Sequence, residues 1–159
     1  MKKTAFIAAI LFLGVTSMTF TACKKKGCMD TNANNYNDKA KKDDGSCTYP
    51  TINLNSATGD GDVTGSGGTA TGTTTWSNSN TQAEYAMDIT AGSGGSMNLT
   101  IKDAAGSTVL NKTLTKGVGD DSASGCTAAG TAGTWSITIT VTNFSGDGSY
   151  SVDPAGIGC

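Results

Sequence analysis

The stretch that most restricts the fold is Trp135-Ser136-Ile137-Thr138-Ile139-Thr140-Val141-Thr142. Apolar and small hydroxyl side chains alternate through it without a break. Successive side chains of an extended strand point to opposite faces, so this run has one apolar and one polar face. Its Ile, Val and Thr are β-branched, which suits a pleated, half-buried surface. The expected element is an antiparallel strand with one face on a core.

The same period recurs elsewhere. Tyr85, Met87 and Ile89 keep it, as do Met97, Leu99 and Ile101. The segment 108–114 is mixed, with Val109 on one face and Leu110 and Leu114 on the other. Ile52 and Leu54 open the series, and Tyr150 and Val152 close it. Gly94-Gly95, Asp103-Ala104-Ala105-Gly106 and Asp147-Gly148 read as the turns between strands. No segment shows a 3.6-residue period. The 22 glycines and the abundant Ser, Thr and Asn fit strands and tight turns better than helices. The fold class expected for 50–159 is all-β, an antiparallel β-sandwich in jelly-roll or immunoglobulin-like style. Trp135 belongs to its core. Trp76, in a Thr/Ser-rich stretch, is expected in core or edge packing, with stacking on a sugar ring as the alternative. Asp60-Gly61-Asp62 reads as a flexible acidic loop. A second long polar loop carries Asp120 and Asp121 before Cys126.

Charge and composition exclude several functions. Residues 50–159 hold three Lys against nine acidic residues, a balance of −6, and the chain has no Arg. Phosphate backbones require a cationic face, so nucleic acid is not an expected partner. There is no His, which removes His-based triads and His-ligated metals. Glu84 is the only Glu, and most Asp residues lie in Gly-rich turn sequence, a poor platform for a rigid catalytic pair. No enzyme activity is expected.

The N-terminus has the anatomy of an export signal. Met1-Lys2-Lys3 is followed by an apolar run from Ala5 to Val15 and a small-residue end at Thr21-Ala22. The run is too short to cross a bilayer core of roughly 30 Å as a helix. Thr21-Ala22-Cys23 resembles the lipobox of bacterial lipoproteins, although Phe20 stands where an aliphatic residue is usual. The resemblance implies cleavage after residue 22, a diacylglycerol on Cys23 and a lipid-held membrane partner. Residues 23–27 then form a tether, in which Lys24, Lys25 and Lys26 can meet anionic headgroups.

Four cysteines remain: Cys28, Cys47, Cys126 and Cys159. Three pairings are possible. Proximity favours Cys28–Cys47 and Cys126–Cys159, and export to an oxidising compartment supports both. The module 28–49 has few apolar side chains (Met29, Ala33, Tyr36, Ala40) and needs a staple. A disulfide is one candidate. Calcium is the other: Asp30, Asn32 and Asn34 alternate like the first three ligands of an EF-hand loop, and Asp38 falls at its ninth position. Asn35 and Lys41 then break that pattern, leaving Asp43 and Asp44 to complete an oxygen-rich set.

Cys28, Asp30, Ala33, Asn35-Tyr36, Ala40 and Asp43-Asp44-Gly45-Ser46-Cys47 resemble a short repeat of exported Bacteroidetes proteins, similar in style to thrombospondin type 3 calcium repeats. Gly133–Ile139 and Asn143–Tyr150 resemble the closing strands of sandwich modules that accompany secreted bacterial peptidases. These resemblances imply an outer-membrane lipoprotein of the cell envelope, with calcium as a cofactor of the module. The function expected is non-enzymatic adhesion or scaffolding through another envelope protein. The alternative is a carbohydrate-binding module of a polysaccharide-capture system, with a glycan as partner.

Overall fold

A computed structural model describes residues 24–115, 121–156 and 159. The signal segment, Cys23 and Asp120 lie outside them. Six strands are present and no helix among the described residues: β1 (Thr51–Leu54), β2 (Gly61–Asn78), β3 (Ala83–Lys102), β4 (Thr108–Thr115), β5 (Ser122–Cys126) and β6 (Gly133–Pro154). They form one antiparallel sheet in the order β1-β2-β6-β3-β4, with β5 also on β3. The all-β expectation holds, and every described strand belongs to a single sheet.

Three strands are far longer than the sequence suggested. Gly94-Gly95 and Asp147-Gly148, expected as turns, lie inside β3 and β6. Asp60-Gly61-Asp62, expected as a loop, leads into the 18-residue β2, which carries Trp76. The cause is a line of irregularities across the sheet. Pairing shifts register at Ser66/Gly68 and Gly68/Ala70 in β2, and at Ala91/Gly94 and Gly94/Ser96 in β3. Gly68 pairs with Phe144 and Gly94 with Ser145, so the shifts coincide. Extra residues in a ladder bend the strand without ending it. At Gly95, φ is +102° and a Cβ would fall 2.5 Å from the Asn143 carbonyl oxygen, so only glycine fits.

The line divides the sheet into two arms. One holds β1, the first part of β2, the last part of β6, the first part of β3, and β5. The other holds the remaining parts of β2, β6 and β3 together with β4. In β6 the buried residues are Trp135, Ile137, Ile139 and Val141, then Phe144, Gly148, Tyr150 and Val152. The odd-to-even switch falls at Asn143, whose φ is +47°. A single inserted residue reverses the alternation, and the bend restores the same face to the interior. Both arms therefore feed one core, in which Met87, Ile89, Met97, Leu99 and Ile101 of β3 meet Val63 and Trp76 of β2. Trp76 and Trp135 meet edge to face at 6.3 Å between centroids. Ile52 and Leu54, on the first arm, close on Gly72 of the second, where a Cβ would sit 3.0 Å from Leu54 Cδ1.

Val109, expected on the face opposite Leu114, is buried with it. Ile101 pairs with Leu110 and Lys102 with Thr108, so Val109 is the bulged residue between them. Residues 127–130 join the arms: Thr127 N–H donates to Ala83 O at 2.9 Å, and Ala128 N–H to Val109 O at 2.9 Å.

Candidate functional site: the cysteine-closed module and the acidic arm

The module is held by its own backbone and one covalent bond. Cys28 and Cys47 are bonded, with Cα atoms 4.8 Å apart. Cys28, Ala33 and Ala40 are its only buried apolar residues. Asn35 crosses the loop, donating from Nδ2 to Ser46 O at 2.6 Å and accepting from Thr48 N–H at 2.9 Å. The second bond, Cys126–Cys159, ties the end of β5 to the C-terminal residue, with Cα atoms 5.7 Å apart. Both expected pairings are present.

The six candidate calcium ligands point to several tasks. Asp30 accepts from the Tyr49 hydroxyl at 2.6 Å and from Asn32 N–H at 2.8 Å. The Tyr49 bond, chiefly, holds the Asp30 carboxyl below its ordinary value, and Asp30 in turn raises Tyr49. Asp43 and Asp44 cap their own turn, accepting from Gly45 N–H at 3.0 Å and Ser46 N–H at 3.1 Å. Bonds from Ser46 hold the Asp44 carboxyl down as well. Asp38 is exposed. Asn34 by its side chain and Asn32 by its main-chain carbonyl meet the sheet. Asn34 Oδ1 accepts from Gly68 N–H at 3.0 Å and Ser66 N–H at 3.4 Å, and Asn32 O accepts from Thr69 N–H at 2.8 Å. Gly68 must be glycine there, because a Cβ would lie 2.7 Å from Asn32 O. Among the described residues no three Asp, Glu or Cys side chains converge as a metal cage. Asn34 Oδ1 and the Asn32 main-chain carbonyl form a clamp on the bulge of β2.

Sequence reasoning missed that clamp, and it missed a basic end. Lys41 N–H donates to Lys25 O at 2.7 Å, and Lys26 bridges Lys42. Lysines distant in sequence thus lie side by side next to the tether. No local pattern announces a contact made across a disulfide-closed loop.

The first arm of the sheet shows the opposite charge. Asp62, Asp88, Asp147, Glu84 and Asp153 are exposed on its outer face, interleaved with Ser and Thr. Ser149 pairs with both Asp62 and Asp88, and its hydroxyl donates to Asp88 Oδ1 at 2.5 Å. Asp62 accepts from Asn53 Nδ2 at 2.8 Å, and Asp60 accepts from the Thr58 hydroxyl. Glu84 and Asp153 are directly opposed, and Glu84 Oε1 accepts from Gly156 N–H at 3.1 Å. A shallow depression of about 940 Å³ is lined by Asp60, Asp62, Asp88, Tyr85, Lys112 and the serines of β5 and β6. Tyr150 also borders it. Its hydroxyl is buried without a hydrogen-bond partner, and burial, with help from Asp60 and Asp62, pushes its pKa up to about 12.

Trp76, Trp135, Phe144 and Tyr150 are buried in the sheet and Tyr85 is half-buried there, whereas among the described residues the exposed large apolar side chains, Met29, Tyr36 and Tyr49, belong to the module. No protein-family profile matches the chain, and no curated protein matches it in sequence.

Proposed function

We propose that the chain is a non-enzymatic, lipid-anchored protein of the bacterial cell envelope that presents a β-sandwich for adhesion or scaffolding. The two arms, folded onto one core, are the two layers of that sandwich. The observation that carries the reading is the clamp of Asn32 and Asn34 on the β2 bulge. It makes the module a rigid mount, set a few residues after Cys23. The basic end beside the tether supports contact with anionic headgroups, each Lys contributing about 1 kcal/mol near such a surface. The acidic arm would be repelled from the same surface, which favours one orientation. The resemblance of 28–47 to repeats of exported Bacteroidetes proteins supports an outer-membrane address.

The test of the anchor is metabolic labelling with an alkyne palmitate in a bacterial host. Wild type takes the label and sediments with membranes; Cys23→Ser loses the label and becomes soluble. Label retained on Cys23→Ser would overturn the assignment. Pull-down on a panel of insoluble polysaccharides, with calcium and then with chelator, separates scaffold from glycan binder. Trp76, Trp135, Phe144 and Tyr150 are buried, leaving the half-buried Tyr85 beside the depression, which favours no binding. Capture lost in Tyr85→Ala would move the reading to a carbohydrate-binding module using the acidic depression. Calcium, for which Asp30, Asp38, Asp43 and Asp44 are the donors to test, is checked by titration calorimetry. No heat would leave the disulfide as the module's staple.

A further inference from the structure

Strand edges are where sheets meet other chains, because their outward N–H and C=O groups lack partners. Three edges of this sheet are blunted. β1 is four residues long and β5 is five. β4 is bulged at Val109, carries Lys112, and is partly covered by Ala128. The fourth edge differs. β2 pairs with β1 only through Gly61–Thr64, and from Ala70 to Asn78 it pairs with β6 alone. Among the described residues no backbone hydrogen bond reaches the other side of 70–78. The run is Ala70-Thr71-Gly72-Thr73-Thr74-Thr75-Trp76-Ser77-Asn78. It has no charge and no proline, its register is regular from Ala70 onward, and it is about 30 Å long at 3.3–3.4 Å per residue.

The geometry points to a second copy of this chain as the occupant, added antiparallel at Ala70–Asn78 so that the two sheets become continuous. The argument is self-complementarity. On its paired side, Thr71 and Thr73 face Thr140 and Thr138, hydroxyl to hydroxyl at 3.1 and 2.9 Å. Thr75 and Ser77 face Ser136 and Thr134. A second β2 related by a two-fold axis at Thr74 would place Ser77 opposite Thr71 and Thr75 opposite Thr73. That repeats the ladder β6 already supplies, and such Thr–Thr and Thr–Ser pairs are favourable cross-strand neighbours. Like charges, the usual guard against self-pairing, are absent from the run. The contact is isologous and closes at two copies.

The experiment is sedimentation equilibrium of the full chain in density-matched detergent, across a wide concentration range. Wild type should sediment as a dimer that dissociates on dilution. Thr73→Lys with Thr75→Lys should halve the mass, because lysines then oppose one another across the axis. Thr113→Lys, on the β4 edge, should leave the dimer intact. Amide exchange provides a readout that does not rest on a variant: protection within 70–78 should rise with protein concentration. A wild type that stays monomeric throughout overturns the proposal. So does a dimer that survives the double lysine variant, or one broken by Thr113→Lys. The anchor stands or falls separately, on Cys23.

Discussion

The module and the sheet solve the same problem by opposite means. Residues 28–49 bury three small apolar side chains and are closed by one disulfide. Residues 50–159 bury two tryptophans, a phenylalanine and long rows of Ile, Leu, Val and Met in one cluster. In the module, hydrogen bonds and a covalent link restrict a chain that has no core to collapse on. In the sheet, apolar burial dominates, at roughly 25 cal/mol per Å² removed from water, and the disulfide closes a terminus. A short polar stretch can thus be rigid, provided that its turns are capped by its own Asp and Asn and that it leans on a neighbour. The neighbour here is the bend in β2, the place where the sheet's own ladder is irregular.

Disruptions of the two regions should therefore differ in kind. The largest effect is expected from Trp135→Ala, which empties the centre of the core and removes the edge contact with Trp76. Denaturant unfolding should show a loss of about 3–5 kcal/mol from the sheet. Next come the disulfides. Replacing Cys126 and Cys159 by Ser opens a loop of 34 residues, and the sheet should lose about 4 kcal/mol. Replacing Cys28 and Cys47 opens 20 residues at about 3 kcal/mol, but the loss should stay local. Limited proteolysis should then cut within 28–47 while the tryptophan unfolding transition barely moves. A matching fall in that transition would show the two regions to be one cooperative unit.

Smaller changes sharpen the boundary. Asn34→Ala strands the buried Gly68 N–H without an acceptor, a cost of about 1–3 kcal/mol. It should uncouple the module, seen as faster exchange at the Gly68 amide. Tyr150→Phe acts on the sheet alone with the opposite sign. Its hydroxyl is buried and unbonded, so removing it should stabilise by about 1 kcal/mol in thermal unfolding. The smallest effect concerns acid. The N–H of Thr131 chiefly, with those of Ser107 and Ala105, holds the Asp103 carboxyl below 3.8 against the opposing effect of burial. A depressed carboxyl stabilises the fold above its unfolded value, and that stability is lost as pH falls through the folded value. Thermal midpoints should thus fall below about pH 4 and do so less in Asp103→Asn. Asp30 and Asp44 should give the module the same sign.

The strand alternation at 85–89, 97–101 and 135–141 was legible because period two is a local property of the chain. So were the core position of Trp135, the turn at Asp103–Gly106 and, through proximity, both cysteine pairs. The length of the strands was not legible. Gly94-Gly95 and Asp147-Gly148 carry turn chemistry, yet glycine serves a bulge as readily as a turn, and only the partner strand decides which. β2 escaped notice because its inward residues include Gly65, Gly68, Ala70, Gly72 and Thr74, small enough to lie beneath side chains of β6 and β1. The candidate ligands were chosen by their oxygen atoms. The Asn34 side-chain oxygen, and the main-chain carbonyl of Asn32, were then claimed by backbone donors of β2, more than thirty residues away.

By itself, the sequence determined that this chain is built of strands, that apolar and polar residues alternate along several of them, and that a core-poor module needs a staple. Those properties follow from side-chain period and composition, which no contact can alter. Tertiary structure alone decided that three strands bend instead of turning, that the bend is where the module docks, and that one long edge is left open among the described residues. Each depends on which backbone groups find partners across the sheet, and unpaired backbone is too costly to bury for the chain to settle it locally.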